Sequence, residues 1–201
     1  MKVNRSVSPP QRIVAAADKL FYEQGIRAVG VDAIADAAGV SKRTLYNYYP
    51  AKDDLIAAYL TGRFAKHLVP PSDAPAREQI LGYFDRIGAM VADGSFRGCP
   101  YVNAVSELAD PRHPAAGIAI QFKEQRRQWY RELLERLGAR NPEALATQIQ
   151  LLAEGAIATA LVRGDPAAAR AARDAAEVLL DAGTTARRPG RRAARSRRSR
   201  A

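Results

Sequence analysis

Ser41 to Tyr49 reads SKRTLYNYY, a run that crowds Lys42, Arg43, Thr44, Tyr46, Asn47 and Tyr48 around one aliphatic residue, Leu45. Wound as a helix, it has a single apolar anchor and a polar outer face. Those side chains suit the recognition of nucleic acid. Lys42 and Arg43 can pair with phosphate or guanine, Thr44 can meet a base edge or a thymine methyl, and Asn47 can read adenine or hold a phosphate. Tyr46, Tyr48 and Tyr49 join an apolar ring to a hydroxyl, so they suit both packing and backbone contact. Chemistry of another kind is poorly supplied. The two histidines, His67 and His113, and the one cysteine, Cys99, stand apart with no metal-ligand spacing. The sequence has no Gly-rich phosphate loop, nucleophile elbow or convincing acid–base pair. The expectation is a binding protein and not an enzyme, with no catalytic residue, metal or cofactor.

A reading helix needs neighbours that hold it. Val31, Ile34, Ala35 and Ala38 share one face of a short preceding helix. Gly39 can take the positive φ of a tight turn, Val40 can plug the core, and Ser41 can N-cap the next helix. Two short helices joined in this way form a helix-turn-helix pattern. Before them, a helix starting near Pro9-Pro10 and ending at Gly25 carries an apolar stripe through Ile13, Ala17, Leu20 and Phe21. After them, Asp53 and Asp54 mark the first turn of a fourth helix whose buried side is Leu55, Ile56, Tyr59 and Leu60. Breakers divide the rest into helices at about 76–92, 101–109, 114–138, 142–163 and 166–183. No run of alternating β-branched residues suggests a strand, so the expected fold is all-α.

The run VDAIADAAGVSKRTLYNYYPAKDDL, with RIVAAADKLFYEQG before it, resembles the DNA-binding domain of the TetR (tetracycline repressor) family. The resemblance is close over about residues 7–67. It implies an N-terminal three-helix DNA-binding domain at 7–67 and a helical ligand-binding and dimerisation domain at 68–183. RGCPYVNAVSELADPRHPA also resembles a motif of one large branch of the family's ligand-binding domains. The resemblance further implies that the Ser41–Tyr49 helix enters the major groove and that Lys42, Arg43, Thr44, Tyr46, Asn47 and Tyr48 face DNA. Lys52 matches a phosphate-contacting lysine. This chain departs from the pattern at three places. Gly30 stands where a Ser or Thr usually caps the second helix, Arg43 replaces a frequent Gly, and Tyr49 replaces a usual Phe whose packing the tyrosine ring is expected to keep.

In the family the C-terminal helices dimerise and enclose a small-molecule pocket. Here Leu145, Ile149, Leu152, Ala153, Ala156, Ala160 and Leu161 make one apolar face, and Ala168, Ala171, Ala172, Ala175, Val178 and Leu179 another. They can line a four-helix homodimer interface or fill the core of one protomer. Pocket candidates mix apolar surface with a few polar groups. They are Phe84, Ile87, Met90 and Val91 in one helix; Cys99, Tyr101 and Asn103 around the next; and Phe122, Trp129, Tyr130 and Glu154 beyond. Glu107, a polar residue in an apolar helix, needs a partner or a place on the surface. Cys99 reads as a small buried hydrophobe before it reads as a thiol sensor.

Charge is unevenly spread. The net charge is +10, yet eight Arg lie in Thr184 to Ala201, and without them 23 basic residues face 21 acidic ones. The tail, 184–201, is low in complexity, and its expected state is disorder. It either adds salt-sensitive DNA affinity or has no role. A lone cysteine fits a reducing compartment, and neither an apolar leader nor a membrane span is apparent, so the expected location is the cytoplasm. The leading expectation is a repressor released from a palindromic operator in double-stranded DNA by a small-molecule effector. An activator or ligand-independent regulator of the same fold, and a sequence-neutral architectural DNA protein, are the alternatives.

Overall fold

A computed structural model describes residues 7–67 and 73–184. Its described residues form nine helices and no strand. Four come first: α1 (Pro9–Gln24), α2 (Val31–Ala38), α3 (Lys42–Tyr48) and α4 (Lys52–His67). Five follow: α5 (Ala76–Ala92), α6 (Pro100–Leu108), α7 (Pro114–Arg136), α8 (Pro142–Arg163) and α9 (Ala167–Thr184). The expected Arg-rich tail lies outside the described residues beyond Thr184.

Local chemistry accounts for the ends. Proline opens α1, α6, α7 and α8 in the first turn, where a missing N–H costs nothing. Side chains cap several helix starts: Ser41 Oγ accepts from Thr44 N at 3.1 Å, His113 Nδ1 from Ala115 N at 3.0 Å, and Asn141 Oδ1 from Ala144 N at 3.1 Å. Gly39 ends α2 at φ +62°, as the turn requires. Ala109, which ends α6, holds the same left-handed conformation at φ +54° despite its Cβ.

Two cores form. Ile13, Phe21, Ile34, Leu45, Leu55 and Leu60 knit α1–α4 together, and this cluster continues into Tyr101 and Ala104 of α6 and Ala115, Ala119 and Phe122 of α7. The second joins α5, the C-terminal half of α7, α8 and α9 through Phe84, Ile87, Tyr130, Leu133, Ile149 and Leu180. The cores therefore meet along α7, and the helix-turn-helix has no separate floor of its own. Tyr101 reinforces this join. Its ring stacks on Phe122 at 4.0 Å between centroids, and its hydroxyl donates to Leu60 O at 3.2 Å. Glu107 adds a second tie by accepting from Arg27 N at 3.0 Å in the α1–α2 loop.

The α8 face read as apolar mostly fills the protomer: Leu145, Ile149, Ala153, Ala156 and Ala160 are buried beneath α5, α7 and α9. A different α8 face is open, with Leu151, Gly155, Ala158 and Val162 at helical spacing; Val162 is 86% exposed. Beside it on α9, Ala171 and Val178 are exposed and Ala172 is buried. By length and composition α8 is apolar enough to cross a bilayer, but its buried side is part of the second core.

Candidate nucleic-acid interface and internal cavity

Leu45 is fully buried and fixes α3 against α1 and α2, with Val40 packed beside it. The rest of α3 then has to face outward. Lys42, Arg43, Tyr46, Asn47 and Tyr48 are all exposed, and Thr44 is half-buried. The structure thus brings the sequence candidates of this helix to one surface. Their states differ. Arg43 and Asn47 project with no ion pair or side-chain hydrogen bond among the described residues. Lys42 Nζ is held by Asp32 at 2.8 Å, and this hydrogen bond and its charge raise the lysine's pKa. The Thr44 hydroxyl lies 2.8 Å from Ser41 Oγ, so it shares the cap. Tyr49 packs on the core, and desolvation raises its phenol pKa. Lys52 points to the α1–α2 loop, where Nζ donates to Ile26 O at 2.7 Å. Two further N–H groups remain on that ammonium.

A residue the sequence reading passed over sets the turn. Arg12 of α1 reaches across to donate from Nη1 to Ala38 O at 2.8 Å and Gly39 O at 3.2 Å. These are orphan carbonyls at the end of α2. The angle between α2 and α3 is thereby tied to α1.

Behind this domain lies a cavity of about 440 Å³. Of the sequence candidates, Met90, Cys99, Tyr101, Phe122 and Glu154 line it. Phe84, Ile87 and Val91 do not, because they form the inner side of α5 and are buried in the second core. Tyr130 is wholly buried there too, and Trp129 packs against it at 4.8 Å between centroids. Asn103 braces the loop before α6 by donating to Arg97 O at 2.7 Å.

The sequence reading missed most of the wall, including all of its polar residues but Cys99, Tyr101 and Glu154: Tyr22, Arg63, Tyr83, Arg86, Lys123 and Arg126. Two of them belong to the DNA-binding helices. Tyr22 of α1 donates to Gly98 O at 3.2 Å and accepts from Arg97 N at 3.0 Å. Arg63 of α4 stacks over Tyr22 at 3.9 Å and pairs with Asp18. On α7, Lys123 bridges Glu154 at 2.5 Å and Cys99 Sγ at 3.3 Å. Burial opposes the charge of Lys123, but the sulfur and the carboxylate outweigh it and raise its pKa. Among the described residues no group of three His, Cys, Asp or Glu side chains is placed to hold a metal.

Among the described residues the chain is all helical, with a polar helix presented on a helix-turn-helix and a cavity in the helical part behind it, the arrangement of a DNA-binding transcriptional regulator. The chain belongs to the TetR family. The family profile of bacterial regulatory proteins, tetR family, matches residues 13–59. A TetR transcriptional regulator from Streptomyces avermitilis superposes with a TM-score of 0.79 at 37% identity, over 88% of this chain and 98% of that one. A TetR-family regulator from Streptomyces coelicolor gives 0.76 at 28% identity, over 88% and 96%. The HTH-type transcriptional regulator YjdC of Escherichia coli is 25% identical over 174 residues, 84% of this chain and 91% of that protein. These relatives are regulators of transcription and not enzymes.

Proposed function

We propose that this regulator is a homodimeric repressor that an effector in the internal cavity releases from a palindromic operator. The observation that carries this reading is the composition of the cavity wall. Tyr22 and Arg63 belong to the two long helices of the DNA-binding domain, and they share the cavity with residues of α5, α6, α7 and α8. An occupant that bears differently on Tyr22 or Arg63 in two arrangements of α1 and α4 would bias the spacing of the recognition helices. In the DNA-bound arrangement, Arg43 and Asn47 read base edges, the phenols of Tyr46 and Tyr48 with Thr44 complete the contact, and Lys42 and Lys52 hold phosphates.

Dimerisation rests on the open apolar face of α8 and α9. Leu151, Val162 and Val178 are each two-thirds exposed or more, with Gly155 and Ala171 between them small enough for close helix approach. Two such pairs of helices would form a four-helix interface and relate two recognition helices by a two-fold axis. The place of work is the cytoplasm, with the DNA.

The reading is tested by binding the full chain to its own upstream intergenic DNA, against random DNA as competitor. Arg43→Ala with Asn47→Ala is expected to abolish the competitor-resistant complex while leaving the Tm unchanged, since both side chains are exposed. Equal competitor-resistant binding by this variant would remove α3 as the reading element.

A further inference from the structure

Cys99 carries the one thiol of the chain, and it is not sealed in the core. It N-caps α6, is half-buried, and lines the cavity. Its sulfur has a cationic neighbour. The Lys123 ammonium donates to Sγ at 3.3 Å and to Glu154 Oε1 at 2.5 Å, so the carboxylate helps to hold the ammonium against the sulfur. All three side chains line the same cavity. A cysteine that only fills space behaves as a small hydrophobe and packs on apolar groups. A partly desolvated ammonium on its sulfur is a costly choice of neighbour for that role.

A different wall residue points to a polar atom on the guest. Tyr83 lines the cavity, yet its hydroxyl makes no hydrogen bond among the described residues. The residue is partly covered, and burial of its hydroxyl end raises the phenol pKa. After burial, the charges that reach this phenol are those of Arg126, Glu154, Lys123 and Cys99, so phenol and sulfur border the same space. Behind it the Tyr130 hydroxyl is wholly buried and also lacks a hydrogen-bond partner among the described residues. A desolvated hydroxyl without an acceptor costs free energy that a bound carbonyl oxygen at Tyr83 would recover. The rest of the wall is apolar or aromatic, with Met90, Phe96, Phe122 and Ile157.

We propose that Cys99 is the nucleophile of a covalent site in this cavity, adding to the activated double bond of an α,β-unsaturated carbonyl compound whose apolar body lies against Met90, Phe96 and Phe122. The sulfur forms a bond to the β-carbon, and the electron pair of the double bond moves toward the carbonyl oxygen. There the Tyr83 hydroxyl donates to the developing negative charge. The thiol proton passes by way of the Lys123 ammonium to the α-carbon, so the thioether is the sole product and no other reactant is consumed. In such additions the attacking species is anionic sulfur, which a cation at hydrogen-bond distance stabilises. The proposal rests on the effector reading above and names a class of effector for the same cavity.

The test follows adduct formation on the reduced full chain by mass spectrometry, where a single cysteine leaves one thiol to modify. The probes are benzylideneacetone and N-phenylmaleimide, each beside its saturated counterpart, benzylacetone and N-phenylsuccinimide. Cys99 is expected to react about tenfold or more faster than glutathione with at least one probe, and the saturated counterpart to slow that reaction by occupying the cavity. Tyr83→Phe keeps the ring and removes a hydroxyl that bonds to no described residue, so it should fold with the wild-type Tm. It is expected to slow the addition about tenfold or more. Lys123→Gln is the second variant, expected to remove the advantage over glutathione. Reaction no faster than glutathione with either probe, or a rate that survives in both variants, would overturn the proposal. Operator binding measured with the same probes separates the two readings. Release of DNA by the saturated counterparts, with no accelerated adduct from the unsaturated ones, would keep the effector reading and discard the covalent site. Fast, variant-sensitive addition that leaves operator affinity unchanged would keep the covalent site and discard the effector reading.

Discussion

Asp32 is the residue that works against the charge of the recognition surface. It lies in the first turn of α2, where an acid suits the helix N-terminus, and it holds the Lys42 ammonium beside the outer face of α3 that we propose meets DNA. Both groups are largely exposed, so the pair itself adds little stability. Its effect falls on DNA. Asp32→Ala removes a negative charge and frees Lys42 for phosphate. Affinity for random duplex is expected to rise severalfold at low salt, and the slope of log K against log salt to steepen by about one. A salt titration by fluorescence anisotropy checks this, and an unchanged slope would mean that Lys42 does not meet phosphate. The side chains of α3 were legible in the sequence because each signal is local: Gly39, Ser41 and Leu45 within seven positions fix which way the others point. Their engagement was not. Nothing near Thr44 announces that its hydroxyl shares the cap, and the Ile26 carbonyl that Lys52 reaches lies 26 residues away.

Among the elements, α1 does more than close a three-helix domain. It supplies Arg12 to the end of α2, Asp18 to Arg63 and Tyr22 to the cavity wall. Arg12→Ala leaves the Ala38 and Gly39 carbonyls without that donor, at a cost of about 1.5–3 kcal/mol for hydrogen bonds to a charged group. Thermal unfolding should show a lower Tm and the operator complex a lower affinity, since the α2–α3 angle loses its brace. A variant with the wild-type Tm would show that the turn holds itself. The helix boundaries were legible for α5 and α8, where Pro and Gly punctuate the chain. The faces were harder. Period alone gives α8 an apolar side without saying what covers it, so interface and protomer core were equally open in the sequence, and α5, α7 and α9 cover most of that side. The same limit hid the cavity. Arg126 follows Phe122 by four residues and precedes Trp129 and Tyr130 by three and four. A cation in an aromatic stripe was the available signal, but arginines on long helices usually read as solvated.

For the whole molecule, the separation of a DNA-binding part and a ligand-binding part near residue 67 describes the order of the chain better than its packing. The first core runs from α1 through α6 into α7, so the recognition helices and the cavity share a continuous support. That continuity is what a ligand-controlled regulator requires, because a change at the cavity can be carried by packed helices with no long flexible link. It also explains how Tyr101 can touch both sides, with its ring on the cavity and its hydroxyl on the α4 backbone. The central claim is that two copies of this chain read DNA together through α3. Selection of bound sites from random duplex DNA by the full chain tests that claim most directly. The expected result is an inverted repeat whose half-sites are centred about one helical turn apart or slightly more, with enrichment lost in the Arg43→Ala, Asn47→Ala variant. Failure to enrich any motif, or enrichment of a lone asymmetric motif that the variant still selects, would contradict it.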